Sequence, residues 1–226
     1  MHYNDELHHH GIKGQRWGVR RFQNKNGSLT NAGKKRYNDD IVLKKGTEIH
    51  RISMVNNENH TGHAYAAYKE KDVKTYAKAL SGFMDVYDME FKACEDIVSP
   101  SKKKRVDTFI QLNNESSEFR HNAAKAKASI MKYIPGVVKH YEKKYSNLEN
   151  ASQKVKDDAY QAFAYALVYD KKLRDQYFST LKKQGYNAMI DDADVGRGAN
   201  TESPLIIFDR QRSLSKPKIT KISKQN

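Results

Sequence analysis

A single cysteine, Cys94, stands in this chain of 226 residues, so no disulfide can form within it. That fits a reducing compartment and excludes the disulfide-stapled secreted domain. No apolar run approaches the roughly 18–20 residues that span a bilayer, so no membrane helix is expected. The opening Met1-His2-Tyr3-Asn4-Asp5-Glu6 has neither a cationic start nor an apolar stretch and reads as no secretory signal. The phosphate-binding Gly-Lys-Ser/Thr loop, the Gly-x-Ser-x-Gly elbow and the His-Glu-x-x-His zinc motif are all missing. His2, His8, His9 and His10 have no Cys or carboxylate at zinc-site spacing, and His60 and His63 share a loop. Asp191-Asp192-Ala193-Asp194 lacks the glycine and terminal Glu of a calcium loop. No metal is expected.

What the chain has is positive charge. Its 41 Lys and Arg against 27 Asp and Glu leave a formal +14, a balance that favours polyanions such as nucleic acid. Much of the lysine falls on faces that read as solvated helix. Hydrophobic residues make up 38%, low for a globular protein, and they are sparse over the first forty positions. The sequence therefore divides into a basic arm, residues 1–40, and a domain over residues 41–226.

In the arm, Gly11, Gly14, Gly18 and Gly27 argue against one regular helix. Arg16, Arg20 and Arg21 alternate with Trp17 and Phe22, a mix suited to phosphate contact and stacking. Ser28-Leu29-Thr30-Asn31 reads as the cap of a short basic helix through Lys34, Lys35, Arg36 and Tyr37.

The domain opens on strands. Residues 47–53 alternate, with Ile49 and Arg51 on one face and His50 and Ile52 on the other. An Asn-rich loop leads to a second short strand, His63 to Tyr68. Glu70 to Met84 reads as a helix with Val73, Tyr76, Ala77 and Leu80 in one stripe. Tyr87, Met89, Phe91 and Ala93 alternate with Asp88, Glu90 and Lys92 as a half-buried strand. Residues 99–184 are helical by period, with Pro135-Gly136 as a break. Gly185 ends the last helix. Strands then return at Tyr186–Ile190, Pro204–Phe208 and, as an edge, Lys218–Ile222, with a loop from Asp191 to Ser203. The expected class is α+β, its terminal strands forming a sheet around a helical middle region.

The segment His9-His10-Gly11-Ile12-Lys13-Gly14-Gln15-Arg16-Trp17-Gly18-Val19-Arg20-Arg21-Phe22-Gln23-Asn24, continuing to Ala32-Gly33-Lys34-Lys35-Arg36-Tyr37, resembles one that recurs in phage proteins of Gram-positive hosts. It occurs there beside head and tail genes. The resemblance implies a phage or prophage accessory protein, in a virion or the host cytoplasm; the lack of a long apolar run adds the expectation of no membrane association. One implied role is non-enzymatic: a structural or cargo protein whose basic arm binds DNA or a capsid partner.

The domain resembles the ADP-ribosyltransferase family through three short motifs. Lys45-Gly46-Thr47-Glu48-Ile49-His50-Arg51-Ile52 looks like the first, with Arg51 implied to bind NAD. His63-Ala64-Tyr65-Ala66-Ala67-Tyr68 looks like the second, which implies cofactor contacts from Tyr65 and Tyr68. Gly185-Tyr186-Asn187-Ala188 and Glu202-Ser203-Pro204-Leu205-Ile206-Ile207-Phe208-Asp209 look like the third, with Glu202 as the implied catalytic acid and Asp191 and Asp192 as competitors. Ala66 and Ala67 stand where that family often has hydroxyls, and no Glu-x-Glu precedes the final strand. The chemistry suits these residue types. Breaking the N-glycosidic bond of NAD builds positive charge on the ribose, which a carboxylate stabilises. An Arg can clamp the pyrophosphate with two hydrogen bonds. The implied function is modification of a host protein with NAD as cofactor.

Overall fold

A computed structural model describes residues 30–56, 62–82, 85–130, 142–196, 201 and 204–222. Most of the basic arm lies outside them, but its end is a helix, α1 (Asn31–Asn38). The Thr30 hydroxyl accepts a hydrogen bond from the Gly33 amide at 3.1 Å, satisfying one of the orphan donors of the first turn.

Among the described residues eight short strands form, six where the sequence reading places strands and two in addition. Strand β2 (Glu48–Ser53) pairs antiparallel with β4 (Val86–Lys92), placing Arg51 opposite Met89 and His50 opposite Glu90. The C-terminal β8 (Lys218–Ile222) pairs with the other side of β4, so the first and last long strands share one sheet. A second sheet runs β3 (Ala64–Ala66), β7 (Leu205–Ile207), β6 (Ala188–Ile190), all antiparallel. The additions are β1 (Ile41–Leu43) and β5 (Ile97–Ser99), which pair with each other. Three residues are too few for alternation to show in a sequence.

One bridge joins the two larger sheets. The amides of His50 and Ala67 each donate to the other's carbonyl at 2.7 Å, an isolated pairing among the described residues. Side-chain alternation then assigns the cores. Tyr65, Ile206 and Met189 turn one face of the β3–β7–β6 sheet towards the helices. Ala66, Leu205 and Ile190 turn the other towards Ile49, Met89 and Phe91 of β2 and β4.

The helical middle is α3 (Lys102–Glu115), α4 (Ser117–Ile130), α5 (Gln153–Tyr169) and α6 (Lys171–Lys183). Ser101, Ser152 and Asp170 cap three of them through their side chains. Phe163 is fully buried at the centre, its ring 4.6 Å from Phe109 and 4.9 Å from Tyr177. Offset and edge-on aromatic contacts of this kind add about 0.5–1.5 kcal/mol each to the area they bury. Gly185, at φ 91°, closes α6: its amide donates to Lys182 O at 3.0 Å and that of Tyr186 to Leu181 O at 3.1 Å. That left-handed turn is why the chain reverses into β6 here, and why a glycine stands there. Helix α2 (Glu70–Ser81) stops short of the expected Met84 and packs on β2 and β4. Within the expected loop 191–203, Asp192–Gly196 is a short helix, α7. A last turn, α8 (Arg210–Ser213), leads into β8. Among the described residues no helix is long and apolar enough to cross a membrane.

Candidate functional site

A cleft of about 230 Å³ opens beside the single His50–Ala67 bridge. Its floor is β2 and β3, through His50, Arg51, Ile52, Tyr65, Ala66 and Ala67. Tyr76 of α2 closes one side, and Asp191, Asp194 and the start of β7 close the other. The space exists because side chains are small where the strands run together. Ala67 and Pro204 lie between His50 and Asp191, whose amide donates to Pro204 O at 2.9 Å. Drug-sized ligands occupy roughly 300–1,000 Å³. The described walls therefore enclose less space than a typical drug-sized pocket.

The acidic wall is built from the helical layer outward. Asp192 is 8% exposed and meets Arg105, 4% exposed, at two points: Nε to Oδ2 at 2.8 Å and Nη2 to Oδ1 at 3.0 Å. The Tyr160 hydroxyl donates to the same carboxylate at 2.8 Å, and Arg105 also donates to Pro100 O. Burial pushes the Asp192 carboxyl up. The Arg105 charge, with help from Lys102, outweighs it and holds the group below the usual carboxylate range. Asp192 is thus consumed by the fold and does not face the cleft. Asp191 Oδ1 accepts from the amides of Ala193 (3.0 Å) and Asp194 (3.3 Å), starting α7. Asp194 Oδ2 in turn accepts from the Tyr76 hydroxyl and from Thr201 Oγ1 at 2.8 Å. Burial first, and then Asp194, push the Tyr76 phenol well above its usual range.

The basic side is Arg51. Burial first, and then the neighbouring Arg210 charge, lower its pKa, and no ion pair forms to it among the described residues. A guanidinium stays protonated regardless, so an underused positive charge borders the cleft. Arg210 itself sits 5.0 Å from the Phe91 ring centre. Arg51 therefore shares with Arg210 the side of β2 that carries Ile49.

Of the residues singled out in the sequence, Arg51 and Tyr65 border this cleft together. Tyr65 stacks edge-on with His63 at 5.4 Å and packs on the helical core. Tyr68 does not join them. It packs on the core between the sheets, with Lys69 Nζ 5.8 Å from its ring centre. Glu202 lies outside the described residues. Three cleft residues escaped the sequence reading: Tyr76, Asp194 and His50. His50 Nδ1 lies 3.0 and 3.2 Å from the two Asp88 carboxylate oxygens. Alternation put His50 and Asp88 on the outward faces of two strands. Only the β2–β4 register shows that those faces adjoin. Among the described residues, no three His, Cys, Asp or Glu side chains are placed to hold a metal ion.

Comparison with protein-family models, with curated proteins and with solved structures finds no match to this chain.

Proposed function

We propose that this chain is a phage accessory or virion-associated protein whose domain has an ADP-ribosyltransferase-like fold and transfers ADP-ribose from NAD to a host protein. One observation carries the reading: Arg51, without an ion-pair partner among the described residues, and Tyr65 border a single cleft with the carboxylates of Asp191 and Asp194. Arg51 meets the NAD pyrophosphate, and Tyr65 packs against the nicotinamide. A carboxylate, with Glu202 as the sequence candidate, stabilises the ribose as the bond to nicotinamide breaks and its electron pair leaves with the ring. The resemblance of the arm to phage segments supports a location in a virion or the host cytoplasm.

The test is NAD binding by calorimetry and nicotinamide release by chromatography, on the full chain. Arg51→Ala should weaken NAD binding, because the pyrophosphate is charged before reaction. Glu202→Gln should keep binding and lose turnover, because the carboxylate matters mainly as ribose charge develops. A chain that neither binds nor consumes NAD is instead a non-enzymatic structural or cargo protein, whose basic arm takes DNA or a capsid partner.

A further inference from the structure

The His50–Asp88 pair is more than the β2–β4 ladder needs. Six residues of β2 are already in register with β4. Surface ion pairs add little to such a ladder. The pair is also not on the open surface, since its side chains are 22% and 23% exposed, and His50 borders the cleft. An ionised carboxylate only accepts hydrogen bonds, so the hydrogen between the two groups sits on His50 Nδ1. Nε2 is then the ring nitrogen with a lone pair, and no hydrogen bond to it forms among the described residues. His50 lines the cleft, and an imidazole held through Nδ1 by a carboxylate, with Nε2 left to accept a proton, is the arrangement that makes histidine a base.

We propose that His50, oriented by Asp88, is the general base that activates the acceptor of ADP-ribose. The proposal rests on the NAD reading of the cleft. Nε2 takes the proton from an acceptor hydroxyl, on the target protein or a water molecule. The acceptor oxygen forms its bond to ribose C1′, and the C1′–nicotinamide bond breaks with its electron pair going to the nicotinamide. The imidazolium, stabilised by Asp88, then releases its proton to solvent. Other charged or titratable groups around His50 are Glu90 opposite it on β4, Lys218 opposite Glu90 on β8, and Tyr76 on α2. Glu48 and Arg51 flank it on β2, and Asp191 and Asp194 stand across the cleft.

The experiment measures NAD binding by calorimetry and nicotinamide release across pH, on full-length wild type, His50→Gln, His50→Ala and Asp88→Asn. His50→Gln should bind NAD within about threefold of wild type and lose roughly a hundredfold or more in turnover. Added imidazole should restore part of the activity of His50→Ala, which a purely structural role would not allow. Asp88→Asn should keep binding and lose roughly tenfold. It decides the matter if His50→Gln melts below the assay temperature. His50→Gln that binds NAD and turns over within threefold of wild type overturns the base and leaves the NAD reading standing. Wild type that binds NAD without consuming it overturns both the base and the transfer, and leaves only NAD binding standing. Wild type that does not bind NAD overturns both, and calorimetry tells that failure from the others.

Discussion

Arg105 and Asp192 join through two hydrogen bonds, at 2.8 and 3.0 Å, across 87 residues of chain and almost out of reach of solvent. The pair ties the first long helix of the domain to the turn that carries Asp191 and Asp194. The Tyr160 hydroxyl also donates to the Asp192 carboxylate and Arg105 Nη1 to Pro100 O, while the Tyr177 hydroxyl donates to the backbone carbonyl of Arg105 at 2.8 Å. The acidic wall of the cleft is therefore set from the helical core, not from the surface.

Breaking one side of this pair leaves a buried charge uncompensated. Asp192→Asn and Arg105→Met should each cost about 3–5 kcal/mol, read as the shift of the urea midpoint. Replacing both with apolar residues of similar volume should cost less than the two single losses combined. Equal or larger loss in the double variant would show that the pair is not coupled.

The same pair sets the acid limit. Asp192 is held below its unfolded value, so its contribution is fully present above about pH 4 and fades as pH falls through the folded value. Urea midpoints of wild type should therefore drop more steeply below about pH 4 than those of Asp192→Asn. Parallel curves would remove Asp192 from the account.

At alkaline pH the tyrosines take over. Burial, reinforced by Asp192, raises the Tyr160 phenol, and burial with Asp157 and Asp107 pushes Tyr37 up to about 12. A phenol kept neutral by the fold contributes stability below its unfolded value, about 10, and loses it as pH rises further. Tyrosinate absorbance in Tyr160→Phe should match wild type until the protein unfolds. An early difference would mean that Tyr160 ionises in the folded state.

Long elements were legible in the sequence because period needs length. The alternation of Tyr87 to Ala93 buries the face it announces, and the helical period over residues 99–184 becomes helices α3 to α6. Gly185 was legible too, where a left-handed residue is required. What stayed hidden depends on pairing. The three-residue strands β1 and β5 carry too little pattern, and α7 is started by Asp191 in a stretch that reads as loop. The His50–Asp88 and Tyr76–Asp194 contacts join residues 38 and 118 positions apart, and no local pattern encodes either.

The arm's boundary can be placed by truncation. Tyr37 Oη accepts from Gln153 Nε2 at 2.7 Å. Asp40 accepts from the Ser101 amide at 2.7 Å and from the Tyr186 hydroxyl at 3.1 Å. Removing residues 1–29 should leave the melting temperature almost unchanged. Removing residues 1–40 should cost roughly 2–3 kcal/mol, at about 1 kcal/mol for each such bond. Equal melting of the two truncations would make α1 an appendage.

The contact between Tyr76 and Asp194 joins α2 to α7 at the cleft. A phenol donating to a carboxylate is a charge-assisted bond, worth about 1.5–3 kcal/mol where solvent is largely excluded. Tyr76→Phe keeps the ring and its packing and removes only the donor, leaving Asp194 with Thr201. It should therefore destabilise by about 1–2 kcal/mol, with Asp194→Asn similar and the double variant costing less than their sum. The coupling energy from a four-protein urea cycle should be about 1 kcal/mol. Strict additivity would mean that the two side chains lie together without supporting each other. The cleft would then be closed by packing alone.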